Sequence, residues 1–314
     1  MSIPSLGTLI VGSEGQDGRV LQKILATQGK KIYRQSRNQI ISPDGKSLGP
    51  PSRELLNSIF SMSRIDEVYF LAATHSPARL TDESESRIQL KLHFEILENA
   101  LVQILETIKS TSPTTRLFFA SSALIYGEPK EIPQTENTSS APIEIYGLFK
   151  TMAQEIVSYY RNSLGIFAIS GILYPHESEF RKGQFLFMKI LQAANLSSVN
   201  PNHRLEIVDL DFTREWNCAY QVMECGVSAL RIDNPDDFII GSGKQESVRE
   251  VCKYSFEVFD LDYEDFIVIS PAQMIKRSTN LLSDSTKLLK ATGLRPDGDV
   301  KSLISRTIVR MQEV

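Results

Sequence analysis

Residues Thr8-Leu-Ile-Val11 run directly into Gly12-Ser-Glu-Gly15-Gln-Asp-Gly18, and this stretch decides the fold of the 314-residue chain. A short, fully apolar segment is typical of a central strand in a parallel sheet, which is buried on both faces. Spaced glycines let the backbone turn sharply, and the following helix directs its N-terminal N–H groups at a phosphate. The pattern favours dinucleotide binding, and the alternative is a tight turn without a ligand. The residues predicted to bind the cofactor here are Gly12, Gly15, Gln16, Asp17 and Gly18.

The composition narrows the class of protein. The apolar content of 41% and the charged content of 23% are ordinary for a globular protein. The net charge of -4 gives no reason to expect a nucleic-acid partner. Apolar runs are strand-sized, no signal-peptide pattern is present, and the three cysteines lack metal-ligand spacing. We therefore expect a cytoplasmic protein with no membrane span and no metal site.

Strand and helix patterns alternate along the first half of the chain. Strands are predicted at residues 31–35, 38–42, 66–73, 116–122 and 166–173, with helices at 52–60 and 88–109 and from residue 146. This alternation predicts an α/β fold, a Rossmann-type doubly wound parallel sheet.

The end of the second strand bears on the choice of dinucleotide. An acidic residue there usually binds the ribose 2′-hydroxyl of NAD, whereas an arginine accommodates the 2′-phosphate of NADP. This chain has Ser36 and Arg37, with Arg34 nearby and no acid. The sequence favours NADP, although both arginines could instead be solvated loop charges.

The fourth predicted strand, residues 66–73, ends in small residues where a backbone must approach a cofactor. We assign Leu71, Ala72 and Ala73 to the cofactor and Thr74 to the substrate. His75 faces the substrate or is an ordinary loop residue, and the sequence leaves both interpretations open.

A catalytic set is predicted beyond the next strand. Tyr146 and Lys150 are four residues apart, which places the phenol and the ammonium group on one face of a helix. A nearby cation and a positively charged nicotinamide should lower the pKa of the tyrosine, so that it exchanges a proton with a substrate oxygen. Ser122, at a strand end, could hydrogen-bond the same oxygen. A tyrosine and a lysine at this spacing are more often just two exposed residues of a helix. Here they follow the glycine turn and a strand that ends in serine, and the three features together are specific.

These residues resemble the extended short-chain dehydrogenase/reductases, and within them the GDP-mannose 4,6-dehydratase family. The similarity extends over most of the chain. Its most specific segments are Gly15-Gln-Asp-Gly18, Asp66-Glu-Val-Tyr-Phe-Leu-Ala-Ala73, Gly171-Ile-Leu-Tyr-Pro-His-Glu-Ser178 and Leu210-Asp-Phe-Thr-Arg-Glu-Trp216. The resemblance also implies cofactor contacts at Leu48, Tyr146, Lys150 and His176, and a sugar-diphosphate site that uses cations. The candidates are Arg181, Lys189, Arg214 and Arg277, each of which could otherwise be a solvated surface charge.

One departure from the family pattern concerns the reaction. Dehydratases of this family carry a glutamate two residues after the strand-end serine or threonine, and that glutamate removes a proton from the 4-keto sugar. Leu124 stands at this position and cannot exchange a proton. The segment from Ser122 to Gly127 is closer to the pattern of nucleotide-sugar epimerases and 4-keto reductases. A replacement base, Glu128 or Glu144, would lack the expected spacing.

Smaller departures affect binding and assembly. Ser47 replaces an acidic residue expected near adenine, Pro175 replaces a substrate-contacting asparagine, and the arginine-rich loop that helps build a tetramer is short. The helices at residues 88–109 and 151–161 commonly form the four-helix bundle of a dimer in this group, so we expect a homodimer.

The resemblance predicts how the chain divides and what it does. Residues 1–174 form an NADP-binding domain to which 208–242 returns, and residues 175–207 and 243–314 form a smaller, discontinuous substrate domain. The expected activity is NADP-dependent 4-keto reduction of a GDP-linked sugar. The alternatives are a 4,6-dehydratase or epimerase on the same fold, and a non-catalytic nucleotide-binding protein.

Overall fold

An eight-stranded sheet runs through the centre of the computed structural model, which describes residues 7–74, 83–270 and 281–312. Labelled in chain order, its strands are β1 (Gly7–Val11), β2 (Lys31–Gln35), β3 (Ile40–Ile41), β4 (Ser47–Gly49), β5 (Ile65–Phe70), β6 (Arg116–Ser122), β7 (Ala168–Leu173) and β12 (Asp237–Ile240). Their spatial order is β12-β7-β6-β5-β1-β2-β3-β4. From β12 to β2 every pairing is parallel, which confirms the predicted Rossmann-type sheet.

The two last strands of the sheet differ from the parallel arrangement. β3 pairs antiparallel with both β2 and β4. Two tight turns reverse the chain directly: the Ser36 N–H donates to Gln39 O between β2 and β3, and the Gly45 N–H, with φ of +87° at Gly45, donates to Ser42 O between β3 and β4. A helix-containing crossover, which a parallel neighbour requires, has no room between these two strands.

Helices cover both faces of the sheet. They are α1 (Gln16–Thr27), α2 (Arg53–Ser63), α3 (Glu83–Ile96), α4 (Gln103–Thr111), α5 (Ile145–Leu164), α7 (Ala219–Ala229) and α9 (Thr286–Thr292). A π-helical segment, Leu97–Val102, joins α3 to α4. Leu9 and Val11 of β1 pack in the core beneath α2, α4 and α5, while Ile10 packs in the core beneath α1 and α7. Alternate side chains of one strand therefore serve two cores, as in a doubly wound sheet.

The remaining elements have a separate core. They comprise α6 (Leu186–Ser197), α8 (Val248–Glu257), α10 (Val300–Gln312) and the short strands β8 (His176–Glu177), β9 (Leu205–Ile207), β10 (Thr213–Glu215), β11 (Asn217–Cys218), β13 (Gln245–Ser247) and β14 (Ile267–Ile269). Phe187, Trp216 and Ile304 are buried together there. Helix α8 begins at Val248, directly after β13, which pairs antiparallel with β10. The division at residues 174, 207 and 242 stays a prediction, although β12 does join the main sheet beside β7.

The described residues contain neither a membrane-spanning helix nor a cluster of metal-ligating side chains. No helix there is both long and apolar enough to cross a bilayer. Among the same residues, no group of three or more histidine, cysteine, aspartate or glutamate side chains is arranged to hold a metal ion.

Candidate functional site

The glycine turn is closely packed against the end of β5. Gly12 has φ of +85°, and a Cβ added there would lie 2.7 Å from the Ala72 nitrogen. Gly15 precedes α1 in extended conformation and caps it without a side-chain hydrogen bond. No side chain therefore caps the N–H groups at the start of this 12-residue helix, and there is no room for a side chain at Gly12. Both features fit a site for a dinucleotide phosphate.

A polar cluster closes one side of this turn. Asp17 Oδ1 lies 2.9 Å from His176 Nε2, and Gln16 Nε2 donates to His176 O over 3.2 Å. Burial acts to raise the pKa of Asp17, but His176 and two hydrogen bonds outweigh it and hold that pKa well below its usual range. Burial acts to lower the pKa of His176, but Asp17 raises it above its usual value. The two predicted cofactor residues therefore form an ion pair across 159 positions of sequence.

This ion pair should make stability depend on pH in a defined direction. The raised pKa of His176 means that its contribution is complete below its unfolded value near pH 6.5 and is lost as the pH rises through the folded value. The lowered pKa of Asp17 means that its contribution is present above about pH 4 and is lost in strong acid. We expect Asp17→Asn to cost on the order of 1–2 kcal/mol of unfolding free energy at pH 6, and less at pH 9.

The matched control for this measurement is Asp44→Asn, since Asp44 pairs with Lys46 at the surface. The pKa of Asp44 is lowered to about 2, first through its hydrogen bond to Ser42, and that of Lys46 is raised. Neither group titrates between pH 6 and 9, so the cost of this substitution should not change over that range. Urea unfolding at both pH values measures the difference; a pH-independent cost of Asp17→Asn would contradict the ion pair.

The predicted catalytic residues meet at the carboxyl end of β6. Ser122 caps a short 3₁₀ helix by accepting the Leu124 N–H over 3.2 Å, and it also hydrogen-bonds the Tyr146 phenol. Lys150 is fully buried, and its Nζ donates to Ala120 O over 2.5 Å. Its Nζ lies 5.6 Å from the centre of the Tyr146 ring. The i, i+4 spacing on α5 thus places the amine beneath the phenol.

The electrostatics of the pair differ from expectation. Burial and then Asp17 raise the pKa of Tyr146, whereas the hydrogen bond to Ser122 and the charge of Arg181 lower it by less. Burial lowers the pKa of Lys150 to about 7, opposed by Asp17. The expected lowering by Lys150 is therefore wrong for the protein chain by itself, because Lys150 bonds to a backbone carbonyl and Arg181 is the cation that acts on the phenol.

The arginines and the lysine predicted to bind the diphosphate differ in their contacts and exposure. Arg181 donates through Nε to Glu177 over 2.6 Å and through Nη2 to His176 O over 2.6 Å. Arg214 lies 3.8 Å from the other oxygen of Glu177, with its guanidinium 4.8 Å from the centre of the Trp216 ring. Arg181 and Arg214 therefore flank one buried carboxylate. Lys189 is exposed on α6, and Arg277 lies outside the described residues.

The other predicted cofactor residues lie along the carboxyl end of the sheet and its hairpin. Leu71 continues β5 by donating its N–H to Val11 O over 2.8 Å. Arg37 pairs at 2.9 Å with Glu95 of α3, so any 2′-phosphate would compete with this exposed carboxylate. Leu48 is an exposed residue of β4. His75 lies outside the described residues, whereas Thr74 contacts His93.

Two site residues were not predicted. Glu177 was quoted only as part of a family segment, and pairing of β8 with β11 buries it between the two arginines. His93 belongs to α3, and the signal available for it was its place four residues before Leu97 on the apolar face of a helix. Spacing alone could not find the contact of Glu177 with Arg214 or that of His93 with Thr74, because the partners are 37 and 19 residues apart.

Leu124 lies in the 3₁₀ helix that follows Ser122, and it is partly exposed. Among the described residues, neither Glu128 nor Glu144, the possible replacement bases, is hydrogen-bonded to the segment from Ser122 to Leu124. Glu128 follows the turn at Gly127, and Glu144 is the residue before α5, where it caps the helix without a side-chain hydrogen bond. Both side chains are exposed.

Residues 52–307 match the family model described as GDP-mannose 4,6 dehydratase. GDP-mannose 4,6 dehydratase 2 of Caenorhabditis elegans is 29% identical over 282 residues, which are 79% of this chain and 69% of that protein. GDP-mannose 4,6-dehydratase of Yersinia enterocolitica is 28% identical over 288 residues, 82% of this chain and 73% of that protein.

Solved structures share the fold over the whole length of the chain. RMD from Pseudomonas aeruginosa complexed with NADPH superposes with a TM-score of 0.77 at 18% identity, covering 98% of this chain and 99% of that one. UDP-glucose 4-epimerase of Thermus thermophilus in complex with NAD gives a TM-score of 0.76 at 18% identity, with the same coverage. At this identity the likeness concerns the fold alone.

Proposed function

The chain belongs to the GDP-mannose 4,6-dehydratase family, and on that premise we propose that it is an NADP-dependent oxidoreductase that reduces the C4 keto group of a GDP-linked sugar. The observation that carries the proposal is the assembled set of Ser122, Tyr146 and Lys150 with Leu124 where the family's eliminating glutamate stands. Such a site retains the groups for proton exchange at a carbonyl oxygen and lacks that base.

The chain's own residues would divide the work of reduction. The nicotinamide, when bound, supplies the hydride that adds to C4. Tyr146 donates its phenolic proton to the carbonyl oxygen, and a high pKa suits a group that must hold that proton until the oxygen becomes basic. Ser122, already hydrogen-bonded to the phenol, orients the same oxygen. Lys150 lies buried beneath the ring and would anchor the nicotinamide ribose.

Binding of the two ligands is assigned to different ends of one charged cluster. Asp17, His176 and Arg181 surround the glycine turn, so we assign Arg181 to the cofactor side as well as to the diphosphate. Arg214 on its Trp216 platform lies on the far side of Glu177 and is assigned to the substrate diphosphate. Arg37 supports NADP, since its guanidinium is exposed and an exposed ion pair such as the one with Glu95 stabilises little, so a 2′-phosphate could displace the carboxylate.

The second candidate function is the 4,6-dehydratase reaction, favoured by the family and by both relatives. It requires a base that takes a proton from C5 so that water leaves from C6. Glu128 or Glu144 would have to supply that base; both side chains are exposed, at the two ends of the loop that leads into α5. A nucleotide-sugar epimerase on this fold would need no eliminating base, but it would have to retain its reduced cofactor.

One assay separates these functions. The full chain is supplied with NADPH and either GDP-mannose or its 4-keto-6-deoxy derivative, and the absorbance at the reduced nicotinamide band is followed together with the sugar products. Consumption of NADPH with the keto sugar alone supports the reductase. Conversion of GDP-mannose without net consumption of cofactor would replace it with the dehydratase. Binding of NADPH with no conversion of either sugar would favour a non-catalytic protein.

We also propose that the protein is a homodimer formed through α3 and α5. These helices pack against each other and leave apolar side chains in solvent: Leu90, Phe94 and Leu148 line one groove between the helices, and Ile88 and Tyr159 are also exposed. Exposed apolar patches of this kind mark association surfaces.

We expect Phe94→Glu, at a side chain 49% exposed, to convert a dimer into a monomer. The control is Met62→Glu on α2, which is 78% exposed. Light scattering after size exclusion measures the mass; a monomeric parent chain would contradict the proposal.

A further inference from the structure

His93 is a buried histidine that joins three elements of the site. It lies near the end of α3, and its Nε2 is 2.9 Å from the backbone oxygen of Thr74, four residues after the end of β5. Its ring stacks on Phe149 of α5 with a centroid distance of 4.7 Å. Its edge faces the ring of Tyr146 at 6.2 Å. One imidazole therefore contacts both the carboxyl end of β5 and the helix that carries the proton donor.

The contacts define the protonation state of the ring. Nε2 lies 2.9 Å from Thr74 O and 3.0 Å from Thr74 Oγ1, and the carbonyl can only accept, so Nε2 carries a proton. Thr74 Oγ1 also lies 3.3 Å from Gln89 Oε1, one turn earlier on α3. Burial and the nearby charge of Lys150 lower the pKa of His93. The side chain is therefore a neutral donor to the β5 end.

We propose that His93 is a positioning residue that fixes the end of β5 relative to Tyr146 through its Nε2–H bond to Thr74. This inference rests on the proposed function, since the oxygen to be protonated must lie between these two elements. Ala72, two residues before Thr74, touches the glycine turn, so the same strand end also faces the predicted cofactor site. A displacement of about 1 Å at such a position can lower turnover a hundredfold.

Three substitutions separate donation from packing. In His93→Gln, the amide nitrogen lies as many bonds from Cα as Nε2 does, so it can donate to Thr74 O. In His93→Asn, the amide nitrogen reaches only the place of Nδ1 and cannot make that bond. In His93→Phe, the ring that stacks on Phe149 is kept but the donor is lost. If His93 acts as a donor, His93→Gln should be the most active of the three variants. If it acts by packing, His93→Phe should be the most active.

The experiment compares the variants as full chains with NADPH and whichever sugar the parent enzyme converts. We expect His93→Phe and His93→Asn to lower kcat by about tenfold or more, and His93→Gln to stay within about threefold of the parent. The Kd of NADPH should change less than kcat in all three, because His93 acts on the glycine turn only through residues 71–74. Parent-like kcat in His93→Phe, or an equal loss in His93→Gln and His93→Phe, would overturn the inference.

A second readout requires no substrate. Amide hydrogen exchange in the NADPH complex should be faster at residues 71–74 in His93→Phe than in the parent, and His93→Gln should restore protection. If the parent converts neither sugar, the proposed reaction is wrong and hydrogen exchange alone decides the role of His93. Unchanged protection in His93→Phe would show that the bond to Thr74 does not hold the strand end.

Discussion

Replacement of Tyr146 by phenylalanine should lower kcat by a factor of about 10² to 10⁴, the range that a positioned general acid contributes. The phenol is the group hydrogen-bonded to Ser122 at the end of β6, and phenylalanine removes only its oxygen. The ring contacts with His93 and Lys150 remain available to phenylalanine. The loss should therefore appear in the chemical step and leave NADPH affinity within about twofold of the parent, as nicotinamide fluorescence would show.

The control for this substitution is Tyr159→Phe. Tyr159 lies on the same helix, α5, but its side chain is exposed and it takes no part in the cluster around Ser122. It should retain the parent kcat. Turnover by Tyr146→Phe at a rate near that of the parent would remove Tyr146 from the proton-transfer role, whichever of the two sugars is the substrate.

The parallel core of the fold was predictable because each of its signals is local. The apolar strand at Thr8–Val11, the glycine turn and the alternation of strand and helix all lie within short windows of sequence. A strand was predicted at residues 38–42, but its antiparallel pairing and strand β4 were not predicted. Its geometry depends on which neighbour β3 bonds to, and the sequence of a two-residue strand does not encode that choice.

In the candidate site, too, the features set by local spacing were predicted and those set by distant contacts were not. The spacing of Tyr146 and Lys150 correctly places both on one helix face, because helix geometry fixes it. The partner of Lys150 was missed, since the carbonyl of Ala120 is 30 residues away and lies on a neighbouring strand. The electrostatic expectation for Tyr146 failed for the same reason. Burial and distant charges determine the pKa of a group, and neither can be read from its immediate sequence.

Gly18→Ala should abolish cofactor binding, with an affinity at least about a hundredfold weaker than that of the parent, equivalent to about 2.7 kcal/mol. Gly18 lies in the first turn of α1, and a Cβ there would overlap the Gly12 carbonyl oxygen and lie 2.7 Å from Ser13 Cα. These are backbone atoms of the turn and cannot rotate away. The methyl group must therefore push the turn off the helix N-terminus, at a cost in stability of about 1–3 kcal/mol.

Gly29→Ala is the matched control, because it costs stability without touching the turn. Gly29 ends the same helix with φ of +69°, and a Cβ there would meet no atom within 4 Å. A left-handed alanine costs about 1–2 kcal/mol, so both variants should unfold at similarly lowered denaturant concentrations. Only Gly18→Ala should lose NADPH in a fluorescence titration. Parent-like NADPH affinity in Gly18→Ala would mean that the turn does not hold the cofactor. An equal loss of affinity in Gly29→Ala would attribute the loss to instability and equally contradict the prediction.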